Sequence, residues 1–361
     1  MKVSIVGPIK SNAKEGKTNP KIFIYRDAIE SIGYETMLFS TSVSKFKPIS
    51  FLKSMKQSIV FGDTVLLMLG GRASRSLLKI FLFFNKKLKK RLILCPFGIG
   101  PLNPILKNKS IEFTNLFFSK PEETKLNDSK FGKKLKLLDL IVVQNNTLKK
   151  CFETFYKLDN VFVLPNFRLI DDSTLDTSYR KNSIVYVSRV NEEKGIIDLI
   201  KSVSSINESA LTDSQISLDI YGEMHLSDKM QDYFNSQLND QIKYFGPVPN
   251  KKVNDIISSH ALSSLPTKYV GEGTPGFLVE SLIAGVPSIV SSFAQAKDII
   301  EDGFDGLIFQ IGNQHDLTEK IKSIIYDNKR IELMRQNAYM SGKKYLFKNN
   351  IDKIKLILEG K

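Results

Sequence analysis

The run Lys181-Asn-Ser-Ile-Val-Tyr-Val-Ser188 constrains the fold of this 361-residue chain more than any other stretch. Its centre, Ile184-Val-Tyr-Val187, is apolar and β-branched, and the run reads as a buried strand. It leads directly into Arg189-Val-Asn-Glu-Glu-Lys194-Gly195 and then into Ile196–Val203, whose apolar spacing predicts a helix. A strand, a short polar loop and a helix make half of a parallel βαβ unit, and ligands gather beyond the carboxyl ends of such strands. Arg189 and Lys194 stand at that edge. A planar guanidinium fork and a point-charge ammonium together suit a diphosphate. The other reading is a solvated loop in which Glu192 and Glu193 partner the two cations.

A second segment, Gly271-Glu-Gly-Thr-Pro-Gly-Phe-Leu-Val-Glu280, carries two glutamates eight positions apart. Thr274 suits a helix N-cap, Pro275 the first helical position, and Gly285 the residue after the helix end. Glu272 then stands just before a short helix that buries Phe277 and Leu278, and Glu280 about a turn and a half inside it. Gly273 and Gly276 leave backbone N–H groups open, and the helix dipole favours an anion there. An extended phosphorylated ligand with hydroxyl groups at both ends fits this edge, each carboxylate accepting hydrogen bonds from a different sugar ring. By itself a Glu-x7-Glu spacing is common and describes an ordinary surface helix equally well. The neighbouring βα unit is what favours a nucleotide-sugar site.

Taken together, Ser188-Arg-Val-Asn-Glu-Glu-Lys-Gly195, Tyr221-Gly222, Phe245-Gly-Pro-Val248, Leu265–Glu280, Ala284-Gly-Val-Pro-Ser-Ile-Val290 and Glu301–Phe309 resemble the retaining glycosyltransferases of family 4. Asp139-Leu-Ile-Val-Val-Gln144 and Val161-Phe-Val-Leu-Pro-Asn-Phe-Arg168 are similar to that family's approach to its interdomain linker. The likeness is detailed from about Leu137 to Phe309 and only architectural before that. It implies an α/β chain of the GT-B fold, with two facing Rossmann-like domains, parallel sheets and an interdomain cleft. The expected acceptor domain spans residues 1–165 with the last helices, 336–361; the expected donor domain spans 166–335. The resemblance also implies roles. Arg189 and Lys194 hold the departing diphosphate with N–H groups near Gly276, Glu272 holds the donor sugar, Glu280 the ribose, and Pro247-Val248 the base through main chain. Gly273, Thr274 and Phe277 complete the expected donor site. Many relatives have an aromatic residue where Thr274 stands, and a histidine from the first domain that this chain lacks. His225, His260 and His315 all fall in the second half, where His260 reads as structural and His225 as a surface residue.

The absence of any Asp-x-Asp pair removes the metal signature of the other large glycosyltransferase fold, so no essential metal and no cofactor beyond the nucleotide sugar, a UDP-sugar, is expected. Cys95 and Cys151 are too few and too separated for a disulfide framework or a zinc site. Gly16-Lys17-Thr18 looks like the tail of a P-loop, but Ser11 stands where that motif needs glycine. Gly16 and Lys17, and Gly98 and Gly100 after the apolar run Leu92-Ile-Leu-Cys95, are instead candidates for the acceptor side, with ordinary loops as the alternative.

Charge is divided unevenly. Residues 1–165 hold 29 lysines and arginines against 12 acids, whereas residues 166–361 hold 23 against 26. The densest basic patch, Ser76–Arg91, sets Leu77, Phe81, Phe84 and Leu88 on one helical face with lysines close behind, as in helices that lie in a bilayer interface. Phe46–Lys56 has similar chemistry. The competing reading buries Phe81 and Phe84 in a Rossmann core and solvates the lysines. No nucleic-acid motif accompanies the charge. No run reaches the ~18 apolar residues of a membrane span, and the start lacks a signal-peptide core.

The expectation is therefore a retaining enzyme that transfers a sugar from a UDP-sugar to a glycan acceptor, lipid-linked, in bacterial surface-polysaccharide synthesis. It would work in the cytoplasm, peripherally on the inner face of an anionic membrane. A soluble or protein acceptor, a GT-B epimerase and a non-catalytic partner subunit are the alternatives.

Overall fold

A computed structural model of the chain describes residues 1–9, 20–42, 48–96, 129–171, 175–176, 178–211, 214–269 and 272–360. Gly16, Lys17, Gly98 and Gly100 lie outside the described residues. The chain divides into two compact units, Met1–Leu169 with Phe347–Lys361, and Ile170–Leu346.

The first unit alternates strand and helix: β1 (Lys2–Gly7), α1 (Pro20–Ser31), β2 (Glu35–Ser40), α2 (Pro48–Phe61), β3 (Thr64–Leu67), α3 (Gly71–Leu88) and β4 (Arg91–Leu94), then α4 (Lys130–Leu135), β5 (Leu140–Val143), α5 (Asn146–Tyr156) and β6 (Val161–Val163). The strands form one parallel sheet in the order β2-β1-β3-β4-β5-β6. Their two-residue period is legible in the core. Val65, Leu67, Leu92 and Leu94 pack on one face with Phe81 and Phe152, while Leu66 and Ile93 pack on the other with Ile22 and Ile29. Both faces are covered at β3 and β4, which is why Val65–Leu67 and Leu92–Leu94 read as unbroken apolar runs.

Leu77, Phe81, Phe84 and Leu88 of α3 turn inward. Phe81 is fully buried and the other three pack against the same cluster. The face expected to enter a bilayer is therefore a core face, because the covered sheet needs an apolar stripe from every crossover helix.

The second unit contains β7 (Arg180–Val187), a 3-10 turn (Glu192–Lys194), α6 (Ile196–Ser209), β8 (Ser217–Tyr221), α7 (Asp228–Ser236), β9 (Ile242–Gly246), α8 (Asn250–Ser258) and β10 (His260–Leu265). It continues with α9 (Gly276–Ile283), β11 (Ser288–Ser291), α10 (Ala296–Ile299), β12 (Gly306–Phe309), α11 (Gln314–Lys322) and α12 (Asn328–Gly342). Its parallel sheet runs β12-β11-β10-β7-β8-β9. Strand order reverses between β7 and β10, the topological switch point of a doubly wound sheet.

α12 packs on α9 within this unit. Its Arg335 is 2% exposed and donates to the carbonyls of His260 (2.7 Å), Asp176 (2.9 Å) and Ser258 (3.3 Å). Those bonds anchor α12 beneath the second sheet, so the chain leaves this unit at Leu346 and not near residue 336. Phe347 N–H then donates to the Arg168 carbonyl at 2.9 Å, and α13 (Ile351–Glu359) packs Ile354, Ile357 and Leu358 into the core of the first unit.

Candidate active site

The segments that follow β7 and β10 meet at the switch point. Beyond β7 the backbone stays extended: Ser188 N–H donates to Tyr221 O (3.1 Å) and Val190 N–H to Glu223 O (2.9 Å). Val190 is buried and Arg189 exposed. The Arg189 carbonyl accepts a 2.7 Å hydrogen bond from the Tyr186 hydroxyl, inside the core. An aromatic hydroxyl in an apolar strand needs such a partner, and this one fixes the loop that carries the guanidinium.

Asn191 caps the 3-10 turn, its side-chain oxygen accepting from Lys194 N–H at 2.8 Å. Gly195 then reverses the chain at φ +75°, and a Cβ there would lie 1.9 Å from the Pro266 carbonyl oxygen. Only glycine permits both the left-handed turn and so close an approach to the end of β10. The tight turn swings Lys194 inward. Its ammonium ion-pairs with the Glu272 carboxylate, with the two side chains 8% and 12% exposed.

Thr267, fully buried just past β10, ties the loops together. Its hydroxyl lies 3.4 Å from the Glu272 carboxylate and 3.3 Å from the Glu193 carbonyl, and it accepts from Tyr269 N–H at 3.1 Å. Lys268 N–H also donates to Glu193 O at 2.8 Å, and its ammonium pairs with Asp198 at 2.8 Å. Burial pushes the Tyr186 phenol well above its usual range, the nearby Glu272 charge adds to this, and Arg189 opposes it. Tyr269 is raised first by burial and then by Glu193 and Glu272, again against Arg189. Arg189, Lys194, Glu272, Tyr186 and Tyr269 thus share one electrostatic neighbourhood.

α9 starts one residue later than the sequence suggests. Pro275 takes the N-cap position in extended geometry (φ −61°, ψ 134°), and its carbonyl receives Val279 N–H at 3.3 Å. Thr274 is buried before it and does not cap the helix. Proline at the cap position offers no side-chain acceptor to the first turn, and a helix start of this kind suits an anion. Phe277 is buried below, and Gly273 and Gly276 are partly exposed. Glu280 is partly buried in the second turn of α9, and Gly285 follows the helix at φ +65°.

Pro247 and Val248 lie past the carboxyl end of β9, two strands from β7 on the same edge of the sheet. Gly222 links these strand ends: its N–H donates to Gly246 O (2.9 Å), and a Cβ on it would sit 1.8 Å from Ser188 O. Beside them Tyr221 stacks on Phe245, ring centroids 4.8 Å apart. His260 lies at the opposite edge, at the start of β10. There its Nε2 is 3.1 Å from Asp219, whose carboxylate also accepts from Arg180 at 2.6 Å. Burial opposes ionisation of Asp219, but those two partners hold its carboxyl below the usual range. His225 pairs with Glu223 at 3.3 Å on the surface. Among the described residues no group of three or more His, Cys, Asp or Glu is placed to hold a metal ion.

Residues 172–341, nearly all of the second unit, match the family described as glycosyl transferases, group 1. A Campylobacter jejuni transferase named for adding N-acetyl-D-galactosamine in α-1,4 linkage to a diphospho-undecaprenol-linked glycan is 26% identical over 199 residues, 54% of this chain and 53% of that protein. The Streptococcus pneumoniae GtfA subunit, a UDP-N-acetylglucosamine–peptide N-acetylglucosaminyltransferase, is 25% identical over 226 residues, 60% of this chain and 43% of its own. The chain spans about half the length of the curated relatives it matches. Over the whole length of both chains its structure is similar to Anabaena HepE in complex with UDP and glucose, with a TM-score of 0.68 at 13% identity. The fold is therefore that of GT-B chains, and the part of the second unit that holds these residues is similar to the group 1 glycosyl transferases.

Proposed function

We propose that this protein is a retaining glycosyltransferase that moves a hexose from a UDP-sugar to a hydroxyl of a lipid-linked glycan acceptor, in the assembly of a bacterial surface polysaccharide. The observation that carries the reading is the enclosed Lys194–Glu272 pair at the switch point, beside Arg189 and the uncapped start of α9. A buried cation, an exposed cation and a helix start can neutralise a diphosphate as it leaves, the largest electrostatic demand of the reaction. They would do so without a metal. Glu272, held by Lys194 and Thr267, would accept hydrogen bonds from hydroxyls of the sugar that moves. Glu280 would hold the ribose, and the main chain at Pro247-Val248 the base. With no protein nucleophile assigned, the acceptor hydroxyl attacks on the face the diphosphate leaves, so configuration is retained.

UDP is the preferred nucleotide because the names of both the pneumococcal relative and the structural neighbour include it. The lipid-linked acceptor follows the Campylobacter relative, and a peptide acceptor, after the pneumococcal one, is the second reading. A non-catalytic partner subunit could lose Arg189, Lys194, Glu272 and Glu280 without penalty, whereas all four are present. A lipid-linked acceptor would place the protein peripherally at the cytoplasmic face of the membrane.

The test is a panel of UDP-, GDP- and dTDP-sugars, measured for binding and slow hydrolysis with and without a chelator. UDP-sugars should bind and hydrolyse with the chelator present, and Arg189→Ala should lower the rate about 100–1,000-fold. Strict dependence on added divalent metal, or no nucleotide binding at all, would contradict the proposal.

A further inference from the structure

We infer that the outward surface of α2 and α3 is a docking face for an anionic lipid bilayer. It is a different surface from the inward stripe of α3. Between Glu35 and Glu112 the sequence holds fourteen lysines and arginines and a single acid, Asp63. Neither α2 nor α3 contains an acidic residue, and the two helices pack side by side.

On α2, Met55 and Ile59 face the core while Leu52, Lys53, Lys56 and Val60 face outward, at helical spacing. On α3, Lys79, Phe83, Lys86 and Lys87 do the same. Val60 is 54% exposed and Phe83 68%, each twelve residues into its helix. Phe83 stands edge-on against the half-buried Phe84, centroids 5.5 Å apart, so its ring is supported from below and open above. Ile49, at the start of α2, is 72% exposed. The neighbouring α4 carries the charge further with exposed Lys130 and Lys133, and Leu137 just past it is 67% exposed.

Large apolar tips ringed by lysines, with no carboxylate among them, fit one kind of partner. The tips enter the acyl boundary while flexible lysine stems carry their ammonium groups up to lipid phosphates. A nucleic acid would use the lysines and leave Val60, Phe83 and Ile49 in water. Among the described residues no helix is long and apolar enough to cross a membrane, so contact here would be with one leaflet. This deepens the lipid-linked acceptor of the proposed reaction by naming the surface that meets its membrane. Binding itself requires neither donor nor acceptor.

The chain has no tryptophan, so Phe83→Trp introduces a unique reporter. Its emission should shift to the blue on mixing with vesicles containing about one-third phosphatidylglycerol, and stay unchanged with pure phosphatidylcholine. Sedimentation with the anionic vesicles should fall several hundredfold in Lys53→Gln/Lys56→Gln/Lys86→Gln/Lys87→Gln, about fivefold per lysine. In Val60→Ser/Phe83→Ser it should fall at least about tenfold. All six positions are exposed, and unchanged thermal unfolding would show the variants folded. No emission shift, or sedimentation that ignores either set of changes, overturns the inference. So does equal affinity for double-stranded RNA that survives the Val60/Phe83 change. Because no sugar nucleotide is present, failure here leaves the transfer reading standing.

Discussion

Removing one member of the Lys194–Glu272 pair should destabilise the second unit far more than removing both. The side chains are 8% and 12% exposed, so either charge left alone is stranded in a poorly hydrated site. Breaking a buried pair in this way costs about 3–5 kcal/mol. The Thr267 hydroxyl stays 3.4 Å from Glu272 as a partial partner, which points to the lower end, about 3 kcal/mol, for Lys194→Met. Glu272→Gln should cost a similar amount, because the ammonium loses its counter-charge. In a unit of this size (residues 170–346) that corresponds to a fall in Tm of roughly 6–12 °C. The double variant removes both charges together and should cost no more than either single change, giving a coupling of about 3 kcal/mol. The assay is calorimetric unfolding of the four proteins without ligand. If each single change costs under about 1 kcal/mol and the two add, the pair is screened by water and the enclosed geometry is wrong.

Two further outcomes follow from the same neighbourhood and from the first unit. Tyr186→Phe removes the donor to the Arg189 carbonyl and should lower kcat about tenfold with little change in KM for the donor, because the loop loses its fixed position and no ligand contact is lost; unchanged kcat would show that the hydroxyl does not position the loop. Lys21 is buried in the first unit, and desolvation lowers its pKa from 10.5 to about 8. The unfolded chain therefore binds more protons above that value, so the Lys21 contribution to stability rises with pH from about 8. Lys21→Met should be more stable than the wild type at pH 7, and the gap should narrow by pH 9. A pH-independent gap would exclude a depressed lysine.

Local pattern made much of this molecule legible. The strand at 181–188, its loop and its helix appear as β7, the 3-10 turn and α6, because all three are short-range features set by β-branching, a capping asparagine and a glycine turn. Less legible was anything decided by the other side of a contact. The stripe Leu77, Phe81, Phe84 and Leu88 has the same spacing whether it meets lipid or a sheet, and only the sheet's need for cover settles that it is core. Residues 336–342 stay with the second unit because Arg335 bonds carbonyls far away in sequence. Tyr186 carries a hydroxyl in an apolar run, which was the available clue, whereas Thr267 follows Leu265-Pro266 with no such signal; their partners come from other loops or from the strand's own return. The start of α9 moved by one residue because Pro275 adopts the extended cap conformation.

The most direct test of the nucleotide-sugar reading is a calorimetric titration of Glu272→Gln and Glu280→Gln, each with UDP and with the donor that the sugar panel identifies. Glutamine keeps the shape and one acceptor oxygen, so each change removes a charge-assisted hydrogen bond worth on the order of 1.5–3 kcal/mol. Glu280→Gln should weaken UDP itself by about tenfold or more, because its proposed partner is the ribose. Glu272→Gln should leave UDP affinity nearly intact while weakening the donor and slowing transfer. The opposite pattern would reverse the orientation of the ligand over α9, and no effect of either change on binding or transfer would contradict the site.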